Sequence, residues 1–272
     1  MLKLLERNIA SIEARLVFVA PPGAELAGAF RHVDVNPALH SQLVDDVQTL
    51  RGHVYLEDGA ITSTQLVDGR HKTPEDARSW HLLALNRHRE ISACAWYLQH
   101  EGFTTLQSLR VRNCPLAKIV GVSERFKSAI DAELQRARSE NLQYAEVGGW
   151  AVSKDSRCTS EGLLLALAAY SLGKIAGGAL GLTTATVRHA SSAILRRLGG
   201  SHLEVGGRTV PPYYDPRYKC EMELLRFDSR RPDPKYAPLI DLLAGRLRDV
   251  LVVASRVDSG RPARSATQPC AA

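Results

Sequence analysis

The chain has 272 residues, enough to bury a full core, and its 44% hydrophobic and 24% charged residues are ordinary for a globular protein. Its net charge of +6 and pI near 9.2 favour anionic partners. No polybasic run or basic–aromatic interleaving marks nucleic acid; anionic lipid, an acidic protein and an anionic donor stay open, and the charge alone does not choose among them. No apolar run reaches the roughly 18 residues of a membrane span, so no integral membrane segment is expected. Charges in Met1–Arg7 fall where an export signal needs its apolar stretch, so the expected location is cytoplasmic. The cysteines (Cys94, Cys114, Cys158, Cys220, Cys270) are scattered and lack CxxC spacing, which predicts free thiols with neither a disulfide framework nor a metal site.

Leu16–Ala20 reads as a short strand, ended by Pro21-Pro22. After Pro37, the spacing of Leu39, Leu43, Val44, Val47, Leu50 and Val54 predicts a helix over 38–56. Asp58-Gly59 and Asp68-Gly69 bracket a short extended stretch, Ala60–Val67. Trp80–Leu85 and Glu90–Leu98 read as an antiparallel hairpin around a polar tip at Asn86–Arg89. A helix over 122–140 follows, with Ser123 as its N-cap and Phe126, Ile130 and Leu134 on one face. Tyr144–Val152 is a strand carrying the pair Gly148-Gly149, a sign of a bulge or of close backbone approach by a ligand.

A polar turn leads into a long apolar helix over 160–177, then a strand at 182–186 and a helix at 189–198 ended by Gly199-Gly200. A final strand pair includes 218–227, and a helix over 235–255 follows Pro234. The order implies an α/β fold with a mixed sheet and helices on both faces. The division expected is an N-terminal extension (1–37), a catalytic domain (38–228), a C-terminal helix (229–257) and a small, polar, disordered tail (258–272).

The turn Val152–Gly162 joins a strand to a helix, so unpaired backbone N–H groups converge at the positive end of a helix dipole. Lys154 and Arg157 add charge, and Ser160 and Gly162 are small enough for a phosphate to approach. The same residues also suit an ordinary capped helix, with Thr159 or Ser160 as N-cap and Glu161 in the first turn.

Position by position, this turn resembles the acyl-CoA-binding motif of the GNAT superfamily, Val-x-Pro-x-x-(Arg/Gln)-x-x-Gly-x-(Gly/Ala). Val152, Arg157, Ser160 and Gly162 occupy its places, with Lys154 in place of the proline and Ser160 of the first glycine. Leu195–Gly199 is similar to the superfamily's Tyr-x-x-Leu-Gly helix end, with Leu195 where the acid tyrosine stands. Glu146-x-x-Gly149-x-x-Val152 resembles the Glu-x-x-Arg-x-x-Val strand of acyl-homoserine-lactone synthases, with glycine for arginine. The acidic segment Asp68–Asp76 precedes the hairpin as in those enzymes and in bacterial long-chain N-acyl amino acid synthases.

The resemblance implies a GNAT-like, mostly antiparallel twisted sheet and an N-acyltransferase. Its donor would be an acyl-phosphopantetheine thioester, on acyl carrier protein or CoA, and its acceptor the amine of an amino acid or related small molecule. It implies donor contacts from the backbone of Trp150 and Val152 and from Arg157, Cys158, Thr159, Ser160 and Gly162. Glu146 is the candidate base that takes the ammonium proton; its structural alternative is an ion pair. Trp150 is equally a core residue, and Cys158 beside Arg157 at a helix N-terminus is a conceivable nucleophile that direct attack does not need. Alternatives within the reading are an acyl-homoserine-lactone synthase, a short-chain acetyltransferase, and a non-catalytic binding module.

Overall fold

The computed structural model describes residues 2–256 apart from Glu25, Ala27, Cys158 and His189. The expected tail at 258–272 and the Cys158 site therefore lie outside the described residues. In chain order the elements are α1 (Leu2–Ala10), β1 (Leu16–Val19), β2 (His32–Val35), α2 (Pro37–Glu57), β3 (Trp80–Leu85), β4 (Ile91–His100), α3 (Ser123–Ser139), β5 (Gln143–Val152) and α4 (Glu161–Ile175). They continue with β6 (Ala179–Thr186), α5 (Ser191–Arg197), β7 (Ser201–His202), β8 (Glu204–Val205), β9 (Arg208–Thr209), β10 (Tyr213–Asp215), β11 (Cys220–Asp228), α6 (Ala237–Leu247) and β12 (Leu251–Ala254).

One sheet runs β10-β11-β6-β5-β4-β3-β1-β12-β2, with β7 also on β11, while β8 and β9 form a separate ribbon. β5–β6, β1–β12 and β12–β2 are parallel and the other pairs antiparallel. This is the mixed, mostly antiparallel sheet expected from the sequence. Strand alternation divides the core. Leu16 and Phe18 point to the face covered by α1, α4 and α6, while Val17 and Val19 point to the face under α2. α3 packs on Tyr144, Leu180, Leu182 and Leu224 at the other end of the sheet. Helices thus lie on both faces.

Several elements begin or end differently from the sequence expectation. Residues 235–255 form a helix of only Ala237–Leu247, after which the chain turns into β12. β12 inserts between β1 and β2, so the boundary expected at residue 37 falls inside one continuous sheet. Ser123 is the first residue of α3 rather than its cap, and no side-chain cap bond forms there. Ala60–Val67 is not extended; it holds a 3-10 turn at Ser63–Gln65. α2 is capped by Asn36, whose Oδ1 accepts from the Leu39 amide at 3.0 Å. No helix among the described residues is long and apolar enough to cross a membrane.

Val252 and Val253 are fully buried, and among the described residues β2 pairs only with β12. Each such valine contributes about 1.5–3 kcal/mol by burial, and two parallel ladders depend on the strand. A chain ending at Asp249 should lose cooperative unfolding, which thermal melting followed by circular dichroism would show.

Candidate active site

The site begins where two parallel strands part. β5 pairs with β6 only from Gln143↔Ala179 to Val147↔Thr183. Beyond Val147, β5 stays with β4 as far as Val152↔Ala93, while β6 continues against β11 to Thr186. The backbone of Gly148–Val152 therefore has no strand partner on its β6 side, and a wedge opens there. A register shift between Cys94 and Trp96 marks a bulge in the β4–β5 ladder, with Gly149 at φ +60°. The bulge is the one suggested by the glycine pair, but the group that approaches closely is Trp96. A Cβ on Gly149 would stand 2.2 Å from Trp96 Cδ1, and one on Gly148 would stand 2.5 Å from Cζ2.

Gly149 occupies the place of the arginine in the acyl-homoserine-lactone pattern, and the geometry shows why a side chain has no room there. A guanidinium still arrives from elsewhere: Arg51 Nη1 lies 3.2 Å from where that Cβ would be. Arg51 comes from α2 and is 1% exposed. It pairs bidentately with Asp76, Nη1 to Oδ1 and Nη2 to Oδ2, each at 2.7 Å. Asp76 Oδ2 also accepts from Gln48 Nε2 (3.1 Å) and the Thr73 amide (2.9 Å). Arg51 Nη2 further donates to the His71 carbonyl at 2.8 Å, so one buried pair fixes the 71–76 segment on α2. Burial alone would raise the Asp76 pKa; the Arg51 hydrogen bonds and charge outweigh it and hold the carboxyl below its usual range.

Glu146, 4% exposed, is engaged on both oxygens. Oε2 accepts from the Arg110 amide (2.7 Å) and from His100 Nε2 (3.0 Å), and Oε1 accepts from the Val111 amide (2.8 Å). Through these bonds Glu146 pins the 110–113 turn to β5. That turn carries Arg110, whose guanidinium lies 5.6 Å over the Trp96 ring.

A cleft of about 280 Å³ opens beside these groups, bounded by the 71–75 segment, Arg110, Thr184 and Arg217. A smaller recess between Trp96, Glu146 and Thr183 shares Arg110, Val111 and Thr184 with it. The cleft thus reaches the point where β5 and β6 part. Tyr55 of α2 links the two regions: its hydroxyl donates to the Trp150 carbonyl at 3.3 Å, and its ring meets His71 edge-on with centroids 5.4 Å apart. Burial, helped by nearby Tyr218, pushes the Tyr55 phenol far above its ordinary pKa, so it remains a donor. Across the cleft, Asp215 is buried and bound by the Arg217 amide and guanidinium.

The turn before α4 is more occupied than its sequence suggests. Arg157 Nη2 is drawn to Asp58 (3.1 Å) and Glu57 (3.8 Å) at the end of α2. Ser160 is the N-cap of α4 but makes no side-chain cap bond, and Thr159 Oγ1 before it accepts from the Glu161 amide at 3.3 Å. Ser160 Oγ accepts from Asn8 Nδ2 of α1 at 2.6 Å. Glu161 is buried, accepts from Ser92 and faces Arg15, so the N-terminal segment braces this helix start. The missing side chain of Gly162 faces Trp150: a Cβ would stand 3.3 Å from Trp150 Cζ2. Trp150 and Val152 pack against the core on the α4 side, leaving only their backbone to face the wedge. Leu195, where the superfamily has its tyrosine, also packs against that core.

No protein family and no curated protein matches this sequence, but solved structures match its fold. BjaI, a CoA-dependent acyl-homoserine lactone synthase solved with SAM and isopentyl-CoA, superposes with a TM-score of 0.53 at 16% identity, over 91% of this chain and 94% of that one. This chain has the fold of an acyl-homoserine lactone synthase. TofI, solved in a ternary complex with an inhibitor and MTA, matches with a TM-score of 0.51 at 13% identity, over 76% of this chain and 93% of that one. The GNAT-like architecture implied by the motif at 152–162 is therefore the architecture found.

The sequence pattern singles out Glu146 and the 152–162 turn, whereas Arg51, Tyr55, His71 and Arg110 come together only in the folded chain. Arg51 had a readable signal, a charged residue one step from the apolar stripe of α2. Asp76→Asn should cost about 3–5 kcal/mol in denaturant unfolding at pH 7, because it leaves the Arg51 charge buried and unpaired. The folded-state pKa of Asp76 lies below its unfolded value, so its stabilisation is complete above pH about 4 and fades as pH falls through the folded value. The gap between wild type and variant should hold from pH 8 to about 5 and close in stronger acid.

Proposed function

We propose that this chain is an N-acyltransferase that moves an acyl group from a phosphopantetheine thioester to the amine of an amino acid or a related small molecule. The observation that carries the reading is the wedge between β5 and β6, with the backbone of Gly148–Val152, free of a strand on its β6 side, on one wall and the polar cleft adjoining it. An extended pantetheine arm suits such an edge, since it offers amides that pair like a strand. A backbone N–H on that edge would stabilise the oxyanion formed when the amine attacks the thioester carbonyl.

The cleft suits an acceptor bearing both charges. Lys72 and Arg217 bring cations suited to a carboxylate, and Glu75 brings an anion suited to an ammonium group. Glu146 would contribute by holding Arg110 and the Trp96 ring at the cleft wall. Donor phosphates would meet the first turn of α4, with Lys154 and Arg157 close by. Arg157 would then exchange Asp58 and Glu57 for phosphate. The donor is either acyl-CoA or acyl carrier protein, both of which present the same arm.

A second reading takes S-adenosylmethionine as the acceptor and yields a homoserine lactone; it is favoured by the fold, since BjaI was solved with that molecule and an acyl-CoA. Purified protein should be supplied with acyl-CoA and acyl carrier protein donors of increasing chain length, each with amino acids or S-adenosylmethionine. Mass spectrometry should find an N-acyl amino acid with one thiol released per product, and a lactone would favour the second reading. Absence of product with every donor and acceptor would sink the acyltransfer reading. With the best pair, Arg157→Ala should raise the donor KM about tenfold, the loss of one contact worth ~1.4 kcal/mol, and leave kcat within about twofold.

A further inference from the structure

We propose that His71 is the catalytic residue that removes the proton from the acceptor ammonium group. This deepens the acyltransfer reading and rests on it. The imidazole lines the cleft. Its main chain is fixed on both sides, the amide donating to the Gln48 carbonyl at 3.0 Å and the carbonyl accepting from Arg51 Nη2 at 2.8 Å. Its ring abuts Tyr55, whose hydroxyl bonds the Trp150 carbonyl on the bulge of β5. The imidazole is therefore one aromatic ring away from the backbone that would hold the thioester.

Nδ1 is closed off from solvent and has no hydrogen-bond partner among the described residues. An incoming amine would meet Nε2. Burial lowers the His71 pKa, and the Arg51 and Arg110 charges lower it further, against an opposing effect of Asp76. The groups around it are Arg51 and Tyr55 from α2, Lys72, Glu75 and Asp76 from its own segment, Arg110 from the 110–113 turn, and Tyr218 before β11. Their balance keeps the ring neutral at neutral pH, the state a base requires. Glu146 already accepts from three donors, and Glu75 faces Arg110 at 3.8 Å.

In the step, the neutral imidazole takes one proton from the ammonium group. The freed nitrogen lone pair forms the C–N bond at the thioester carbonyl, whose π electrons move to oxygen. When the carbonyl re-forms, the C–S bond breaks and its electron pair leaves on sulfur. The thiolate takes the second nitrogen proton, so the products are amide, thiol and imidazolium, and the imidazolium proton passes to solvent.

The test uses the donor and acceptor pair that wild type turns over. His71→Gln should lower kcat by about 10²–10⁴-fold with the donor KM unchanged. It should also abolish the acidic limb of the pH–rate profile, and added imidazole should restore part of the rate to His71→Ala. His88→Gln, on the exposed hairpin tip, is the control. NMR titration of His71 in the unmodified protein tests the same claim without a substitution: a pKa below the ordinary histidine value supports it, and one above 7 overturns it. A His71→Gln enzyme that keeps the wild-type rate and acidic limb would overturn the base assignment while leaving acyltransfer intact. Failure of wild type with every donor would remove the acyltransfer reading itself.

Discussion

The buried ion pair between Arg51 and Asp76 is the constraint on which the cleft depends. It joins α2 to the 71–76 segment, places a guanidinium under the Gly149 bulge, and sets the field at His71. A pair of this kind is an expensive way to gain stability, since desolvation offsets much of its Coulomb attraction. Its return is geometric. With both Asp76 oxygens bonded and both Arg51 Nη atoms donating, the 71–76 segment is held on α2, and so is the wall it forms. The pair also explains how the chain does without an arginine on β5: Trp96 fills the space over Gly148 and Gly149, and the charge enters from the helix behind.

The fold was legible where local pattern and tertiary role agree. The apolar stripe of α2, the hairpin of β3 and β4, and the glycine pair in β5 could each be read from spacing. The region after Pro234 could not. Leu239, Leu243 and Leu247 set a helical rhythm, and Leu251–Ala254 extends it with apolar residues, because a strand buried between two parallel neighbours is apolar on both faces. Periodicity has no means of dividing such a run. Ser123 misled for a smaller reason: a good capping residue was available, but the chain enters the helix at Val122 without a cap bond.

The site was legible in part for a different reason. The strand–turn–helix at 152–162 is contiguous in sequence, so its motif could be recognised. The cleft is assembled from the 60–65 and 71–75 segments, the 110–114 turn, Thr184 of β6 and the 213–218 stretch before β11. No spacing links these pieces. Glu146 stood out as a carboxylate on a central strand, yet its partners are the amides of Arg110 and Val111, which only the folded chain brings near. A motif can nominate a residue. Its partners come from the fold.

The placement of β12 has a consequence for the order in which the fold can be completed. Val253 lies between Val19 and Asp34, more than two hundred residues earlier in the chain. Long loops of this kind close slowly, because their entropy is lost before any contact compensates for it. β1 can pair with β3 early, but β2 has no partner until β12 arrives. Until then β1 and β2 present open edges, the surface through which chains join one another wrongly. One short strand, made after everything it supports, thus governs how long the maturing chain remains exposed to self-association.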